Sequence, residues 1–176
     1  VDAYNVAVGY QAGVAMTTGI NNTLIGSLAG DALTSGSNNV AIGEEALSTE
    51  DANGYNVAIG VNSLKYQNAG ADAYNVAVGY NAGISVTTGL YNTIVGGNAL
   101  STNVDGDHNT AIGYLALEDF EADADGHGHN TAIGSSSQLN ASTGTHNTSV
   151  GSLSMGAGVT TGDKNVAIGY YSGVNL

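Results

Sequence analysis

The sequence predicts an all-β protein, a parallel β-solenoid (β-roll) of ten coils, with about 17 residues and two short strands per coil. One pattern recurs ten times: Asn, a β-branched residue, usually Ala, then Ile or Val, Gly, two variable residues, and Ala or Ser. Successive Asn residues of this pattern are 17, 17, 17, 19, 17, 17, 21, 17 and 18 residues apart. A nearly constant period with a few insertions is typical of stacked coils.

The Asn and the Gly of the pattern occur in every coil, four residues apart. The Asn residues are Asn5, Asn22, Asn39, Asn56, Asn75, Asn92, Asn109, Asn130, Asn147 and Asn165, and the Gly residues are Gly9, Gly26, Gly43, Gly60, Gly79, Gly96, Gly113, Gly134, Gly151 and Gly169. We expect the Asn side chains to form a structural ladder, with each amide bonded to those above and below. The Gly should end each strand, because its backbone turns at positive φ without a Cβ clash.

Between the Asn and the Gly lies a three-residue strand. Its first and third residues share one face, and its middle residue points the other way. Both faces are apolar or small, as in parallel sheets that are covered on both sides. We expect one face to fill the coil and the other to be covered by the opposite sheet or by another chain. Ile42, Ile59 and Val78 are expected in one continuous internal column.

After the Gly, the segment Gly-x-x-[Ala/Ser] is interpreted as a return strand, followed by a polar turn that leads to the next Asn. Stacking at ~4.8 Å per coil predicts a rod on the order of 50 Å long. The repeat covers the chain, so residues 1–176 form a single array. The segments 2–30 and 72–100 match closely, which predicts four-coil blocks at about 1–70 and 71–143 and a partial third block.

Composition excludes several partners. Two Lys, no Arg and fifteen acidic residues give a net charge of −13, which repels nucleic acids and anionic membrane surfaces. No apolar run reaches the roughly 18 residues of a membrane span, so membrane insertion is not expected. The absence of Cys removes disulfides and leaves the redox compartment undetermined. The chain opens and closes within a motif, which predicts end-to-end stacking or excision from a longer protein.

A calcium site is one interpretation of the acidic insertion in coil seven, and it is the only cofactor expected. Glu121, Asp123 and Asp125, with Gly126, have the spacing of the first positions of a calcium-binding loop. The position where a bidentate Glu belongs is Ala132, so the motif is incomplete. The alternative is a solvated acidic loop without a ligand.

A second column precedes each Asn. It consists of Tyr4, Asn21, Asn38, Tyr55, Tyr74, Tyr91, His108, His129, His146 and Lys164. Three stacked His side chains would repel one another when protonated, which would lower their pKa values or recruit a metal. The alternative is a polar, partly exposed row without a ligand.

Catalysis is not expected, because the chain has no Ser/His/Asp order, no P-loop and no HExxH motif. The acid pairs Glu44–Glu45 and Glu50–Asp51 could suggest sugar cleavage, but neighbours on a strand point to opposite faces. We therefore predict no catalytic and no cofactor-binding residues. Ice binding is also disfavoured, because the β-branched column mixes five Thr with five Val and its face is expected to be buried.

The motif is clearest at residues 38–46, Asn-Asn-Val-Ala-Ile-Gly-Glu-Glu-Ala. Iterated ten times, it resembles the head repeat of trimeric autotransporter adhesins, and similar arrays occur in phage tail fibres. The resemblance implies a left-handed β-roll, three chains packed side by side, and a surface that adheres to cells or matrix. The chain differs in its longer coils and in having Tyr-Asn, Asn-Asn or His-Asn where that family favours Asn-Ser.

The resulting expectation is a non-enzymatic, extracellular structural and adhesive rod, located at a cell surface or on a virion. Its partners would be two further copies in a homotrimer and a host-cell or matrix surface. The alternative is a self-assembling extracellular filament subunit, an end-to-end homopolymer in which solenoid ends stack head to tail.

Overall fold

The computed structural model describes residues 3–122, 127–157 and 161–174. These ranges contain ten strands, each beginning one residue after a repeat Asn and ending one residue before the Gly. The strands are β1 (Val6–Val8), β2 (Thr23–Ile25), β3 (Val40–Ile42), β4 (Val57–Ile59), β5 (Val76–Val78), β6 (Thr93–Val95), β7 (Thr110–Ile112), β8 (Thr131–Ile133), β9 (Thr148–Val150) and β10 (Val166–Ile168). None of the described segments forms a helix that is long and apolar enough to cross a membrane.

All ten strands belong to one parallel sheet, in which the spatial order follows the chain from β1 to β10. Equivalent residues of successive coils pair, for example Ala41 with Ala58. The register is kept across the longer coils, where Val57 pairs with Val76 and Thr110 with Thr131. The insertions therefore extend the turns and leave the stack undisturbed. The predicted all-β, parallel solenoid with a period of about 17 residues is confirmed.

Within the described ranges each coil has one strand, so the prediction of two strands per coil is wrong for the return segment. Its backbone alternates in handedness: in coil two, Leu28 has a φ of 58° and Gly30 a φ of 54°. Left-handed residues at every second position cannot form an extended strand. The segment still bonds to both neighbouring coils, since the Leu28 N–H donates to the Tyr10 carbonyl (2.8 Å) and the Gly30 N–H to the Ala46 carbonyl (2.9 Å). The second side of the solenoid is a stack of turns.

The interior of the coil is filled by the side chain of the middle residue of each strand. From β2 to β10 this residue is buried, whether it is Ala41, Leu24 or Ile94. Ile42, Ile59 and Val78 do form one continuous column, but it lies on the outer face and is only half-buried, so the expectation of an internal column is wrong. The physical reason is that side chains alternate between the two faces of a strand. Because the buried Asn at the strand entrance and the middle residue are two apart, both side chains point inward.

Large and small residues alternate in the interior. In coils three, four and seven the strand contributes Ala and the return segment contributes Leu directly after its Ala or Ser, as with Ala58 and Leu64, both fully buried. Where a strand contributes a large residue, a Gly faces it: a Cβ on Gly83 would lie 2.7 Å from the Cδ1 of Ile94. Gly83 of coil five thus leaves room for Ile94 of coil six, so the interior volume is balanced between neighbouring coils and not within each one.

Candidate functional site

The outer face of the sheet is formed by the first and third residues of all ten strands. The first-position column is Val6, Thr23, Val40, Val57, Val76, Thr93, Thr110, Thr131, Thr148 and Val166, and the third-position column is Val8, Ile25, Ile42, Ile59, Val78, Val95, Ile112, Ile133, Val150 and Ile168. Neither column contains a charged residue. Ile25, Ile112 and Ile133 remain 38%, 36% and 37% exposed within the stack.

This exposure changes one expectation. The argument against ice binding included burial of the β-branched column, and that part is wrong, because the column is half-buried and Thr93 is exposed. The other part of the argument still holds, because the column mixes Thr with Val. A continuous apolar surface on a folded chain marks a place where another surface packs. Chemically, the outer face offers close packing along its length and hydroxyl groups at its Thr positions.

Beside the outer face runs a stack of six rings, here named the aromatic column. It consists of Tyr55, Tyr74, Tyr91, His108, His129 and His146. The ring centroids are 4.8 to 5.7 Å apart, with interplanar angles of 10° to 19°. All six residues have positive φ, a conformation that strongly disfavours β-branched side chains and so restricts which residues can occupy the column.

The three His residues of the aromatic column stack face to face, with centroids 4.8 Å apart between His108 and His129 and between His129 and His146. The lone pair of an imidazole nitrogen lies in the ring plane, so parallel rings direct their lone pairs side by side instead of toward one point. In the described parts of the chain, no group of three or more His, Cys, Asp or Glu is arranged to hold a metal ion. The column therefore does not assemble a shared metal site.

The pKa of His129 is lowered from its ordinary value. Burial is the largest cause, followed by the neighbouring His108 and His146, and the charge of Asp107 acts in the opposite direction. A ring held between two other imidazoles loses solvation when it becomes charged, and each neighbour repels it once that neighbour is protonated. His129, which lies between the other two His rings, thus resists protonation more than an ordinary His side chain does.

Acidification is expected to destabilise the fold through His129. Since its folded-state pKa lies below the ordinary 6.5, the unfolded chain binds the proton first as pH falls. The stability is complete above pH 6.5 and is lost as the pH falls toward the folded-state value. We expect His129→Asn to flatten the dependence of the denaturant midpoint on pH in this window, because Asn occupies the same column at Asn21 and Asn38.

The control for this experiment is His127→Asn, which removes a His outside the stack. Buried carboxyls with raised pKa values, such as Glu50, act in the opposite sense, so the informative quantity is the difference between variant and parent. An identical pH profile for His129→Asn and the parent would contradict the role of the stack.

The ten repeat Asn residues lie in one column at the strand entrances. In nine successive steps the Oδ1 of one Asn accepts the backbone N–H of the next, over distances of 2.7 to 3.2 Å. The Nδ2 of most of them donates to a turn carbonyl, as from Asn22 to Gly36 (2.9 Å) and from Asn92 to Gly106 (2.9 Å). Direct amide-to-amide bonds occur from Asn22 to Asn5 and from Asn109 to Asn92. The column joins strand, turn and next coil, and its amide groups are used within the chain.

One position of this column is unsatisfied. The Nδ2 of Asn56 is buried and has no hydrogen-bond partner. The turn that follows in the same coil is two residues longer than usual, as the step of 19 residues to Asn75 shows. The longer turn moves the carbonyl that other coils offer at this place, so the insertion costs one hydrogen bond of the column.

The Gly of each coil lies against the next coil. All ten have φ between 119° and 142°, which residues with a Cβ rarely adopt. A Cβ on Gly60 would lie 2.3 Å from the carbonyl oxygen of Gly79. These glycines therefore both turn the chain and allow the coils to approach.

The calcium interpretation is only partly covered by the structure, because Asp123 and Asp125 lie outside the described residues. Glu121 is exposed as a residue, but partial loss of solvent around its carboxyl raises the pKa of that group, and the charge of Asp105 raises it further. Asp105 belongs to the turn of the preceding coil, and its Oδ1 is buried without a partner. The structure therefore adds a neighbouring carboxyl that the spacing of the insertion did not indicate.

The acid pairs do not face a common cleft. Glu44 is exposed, and Glu45 forms an ion pair with Lys65 (2.5 Å). Glu50 is fully buried inside the solenoid, whereas Asp51 is exposed. Sequence reasoning missed the burial of Glu50. The available signal was its position, eleven residues after the repeat Asn, where other coils carry Leu33, Val86 and Phe120.

No family model, curated protein or solved structure matches this chain. Among the features described above, the outer face is the strongest candidate for contact with a partner, because its third-position column is apolar along its whole length and neither column carries a charge. The aromatic column adds a ring-lined margin to it, and the Asn and Gly columns are committed to the stacking of coils.

Proposed function

We propose that this chain is a non-enzymatic structural and adhesive rod, extracellular at a cell surface or on a virion, and that three copies assemble side by side through the outer face. The observation that supports this most is the uncharged column pair of the outer face, which stays partly exposed in a single chain. Covering such a surface removes apolar area from water and favours association.

The mechanical part of the proposal follows from the bonding between coils. Three sets of hydrogen bonds connect each coil to the next: the parallel strands, the Asn column and the return segments. Each set repeats in every coil, so bending the rod would strain all three together. Ten coils at ~4.8 Å give a length on the order of 50 Å, suited to holding a binding surface away from its point of attachment.

A second copy of the chain is the natural occupant of the outer face. Two copies carry the same columns at the same spacing, so their β-branched side chains can interdigitate coil by coil. The net charge of −13 opposes association elsewhere on the surface, and the outer face is the part free of charged residues. The number of three copies and the adhesive role rest on the resemblance to adhesin head repeats.

Assembly is tested by sedimentation equilibrium of the full chain and of Ile59→Asp, which places a charge in the middle of the outer face. The parent should sediment as a trimer and Ile59→Asp as a monomer, because burying an unpaired carboxylate in an apolar interface is strongly unfavourable. Thr49→Asp adds the same charge at an exposed turn position and should remain trimeric. A parent that stays monomeric at high concentration would refute the assembly.

Electron microscopy of the purified chain distinguishes the proposed rod from the alternative, a self-assembling filament. Discrete particles of order 50 Å support the rod, and continuous fibres support end-to-end stacking in its place. Beads coated with the parent should bind cells or extracellular matrix, and beads coated with Ile59→Asp should bind less if the assembled state presents the adhesive surface. The absence of binding by the parent to any such surface would remove the adhesive role.

A further inference from the structure

The chain contains a single Asn-Gly sequence, Asn53–Gly54, in the turn that ends coil three. The backbone nitrogen that follows an Asn can attack the side-chain amide carbon, and Gly hinders this attack least because it has no Cβ. In most proteins the reaction is limited by the weak nucleophilicity of the backbone N–H and by the poor leaving group. A folded site can accelerate it by placing a base next to the attacking nitrogen.

A carboxylate contacts the attacking nitrogen. The Gly54 N–H donates to the Oδ1 of Asp72, at 2.9 Å. Three other coils have the same contact, in which a turn side chain accepts an N–H of the preceding coil: Ile20 to Ser37, Leu90 to Asp107 and Thr145 to Asp163. In those coils the residue before the one whose N–H donates is Gly19, Gly89 or Gly144. Only in coil three among these four is that residue an Asn.

A second carboxyl contacts the amide that would leave. The Asn53 Nδ2 donates to the Oε1 of Glu50, at 3.1 Å. Glu50 is fully buried, and its Oε2 has no hydrogen-bond partner. Burial raises the pKa of this carboxyl, more strongly than its bonds to the turn lower it. A buried carboxyl with one unpartnered oxygen is stabilised by holding a proton.

We propose that Asn53 is a site of structure-assisted deamidation, with Asp72 as the base and Glu50 as the residue that positions the leaving amide. The carboxylate of Asp72 removes the proton of the Gly54 nitrogen, and that nitrogen forms a bond to the Asn53 side-chain carbon. Water gives a proton to the departing nitrogen, which leaves as ammonia when its bond to the carbon breaks. The product is a five-membered succinimide. Water then opens the ring at either carbonyl, which yields Asp or isoaspartate, and solvent returns Asp72 to its starting state.

Deamidation of Asn53 would weaken the hydrogen bonding within coil three. The Asn53 carbonyl accepts the Nδ2 of Asn39, at 3.1 Å, and is therefore part of the Asn column. Isoaspartate lengthens the backbone by one carbon and displaces that carbonyl. Either product also places a carboxylate beside the buried Glu50. Coil three would loosen with age, so the reaction would give the rod a limited lifetime.

Peptide mapping by mass spectrometry tests the proposal on the full chain incubated at neutral pH. Conversion at Asn53 should be faster in the folded chain than in the same chain unfolded in urea. Asp72→Asn retains an acceptor for the Gly54 N–H but is no base, and it should slow conversion on the order of 10²-fold, the low end of the effect of a positioned acid or base. Glu50→Gln keeps an oxygen acceptor for the Asn53 amide and should change the rate less than Asp72→Asn does.

The matched control is Asp163→Asn, which alters the equivalent contact next to Gly144 and should leave the rate at Asn53 unchanged. Circular dichroism of each variant shows that the fold is retained. Folded chain that converts no faster than unfolded chain overturns the proposal, and so do equal rates for Asp72→Asn and Asp163→Asn.

Discussion

Gly60→Ala is expected to destabilise the solenoid by more than the roughly 1–3 kcal/mol that a strained backbone conformation alone costs. The new Cβ would lie 2.3 Å from the carbonyl oxygen of Gly79 and 2.6 Å from its carbonyl carbon. Both atoms belong to the backbone of the next coil and cannot move without breaking the hydrogen bonds between coils. The change in the free energy of unfolding is measured by denaturant titration followed by circular dichroism.

Gly169→Ala separates strain from collision. Gly169 has a φ of 119°, yet a Cβ there would meet no atom within 4 Å. This variant should show only the cost of the positive φ, so it should unfold at a clearly higher denaturant concentration than Gly60→Ala. Equal destabilisation of the two variants would mean that contact between coils does not determine the requirement for Gly.

The second large effect concerns the packing of Ile94 against Gly83. Ile94→Ala should cost about 2–5 kcal/mol, because it leaves a cavity in a narrow interior. Gly83→Leu alone should cost about 1–3 kcal/mol through overpacking, since its Cβ would already lie 2.7 Å from the Ile94 Cδ1 and 3.1 Å from the Leu64 Cδ2. Both free energies come from the same denaturant titration.

The double variant Gly83→Leu/Ile94→Ala should be more stable than either single variant. It makes the interior uniform, with Ala at the middle of β4 to β7 and Leu at the return position of coils four to seven. Leu64 and Leu100 show that Leu accepts the required positive φ, at 47° and 48°. The coupling energy should favour the double variant by about 0.5–3 kcal/mol. Additive losses would show that the two positions do not share a volume.

The period of the sequence was sufficient to predict the parallel sheet and its register. Each Asn fixes the start of a strand and each Gly its end, so equivalent residues such as Val57 and Val76 had to pair despite the inserted turn residues. The return segment was not predictable in the same way. Its apolar pattern suits a strand or a turn, and only the backbone shows that residues such as Leu28 and Leu47 have positive φ.

The orientation of the strand was the other error, and here a signal existed. Both faces of Val40–Ile42 are apolar, so hydropathy alone does not tell which one is inside. The Asn column does tell, because an Asn whose amide bonds to turn carbonyls must point inward, and residues two apart share a face. The outer face therefore follows from the position of Asn39, and the burial of Glu50 follows from its place among apolar residues of other coils.

An experimental density map of the chain at side-chain resolution tests the central claim most directly. The claim predicts that Ile42, Ile59 and Val78 form one unbroken column on the outside of the coil, with Ala41 and Ala58 stacked inside it. A map in which the β-branched residues point into the coil, or in which the longer turn before β5 shifts the register, would contradict it.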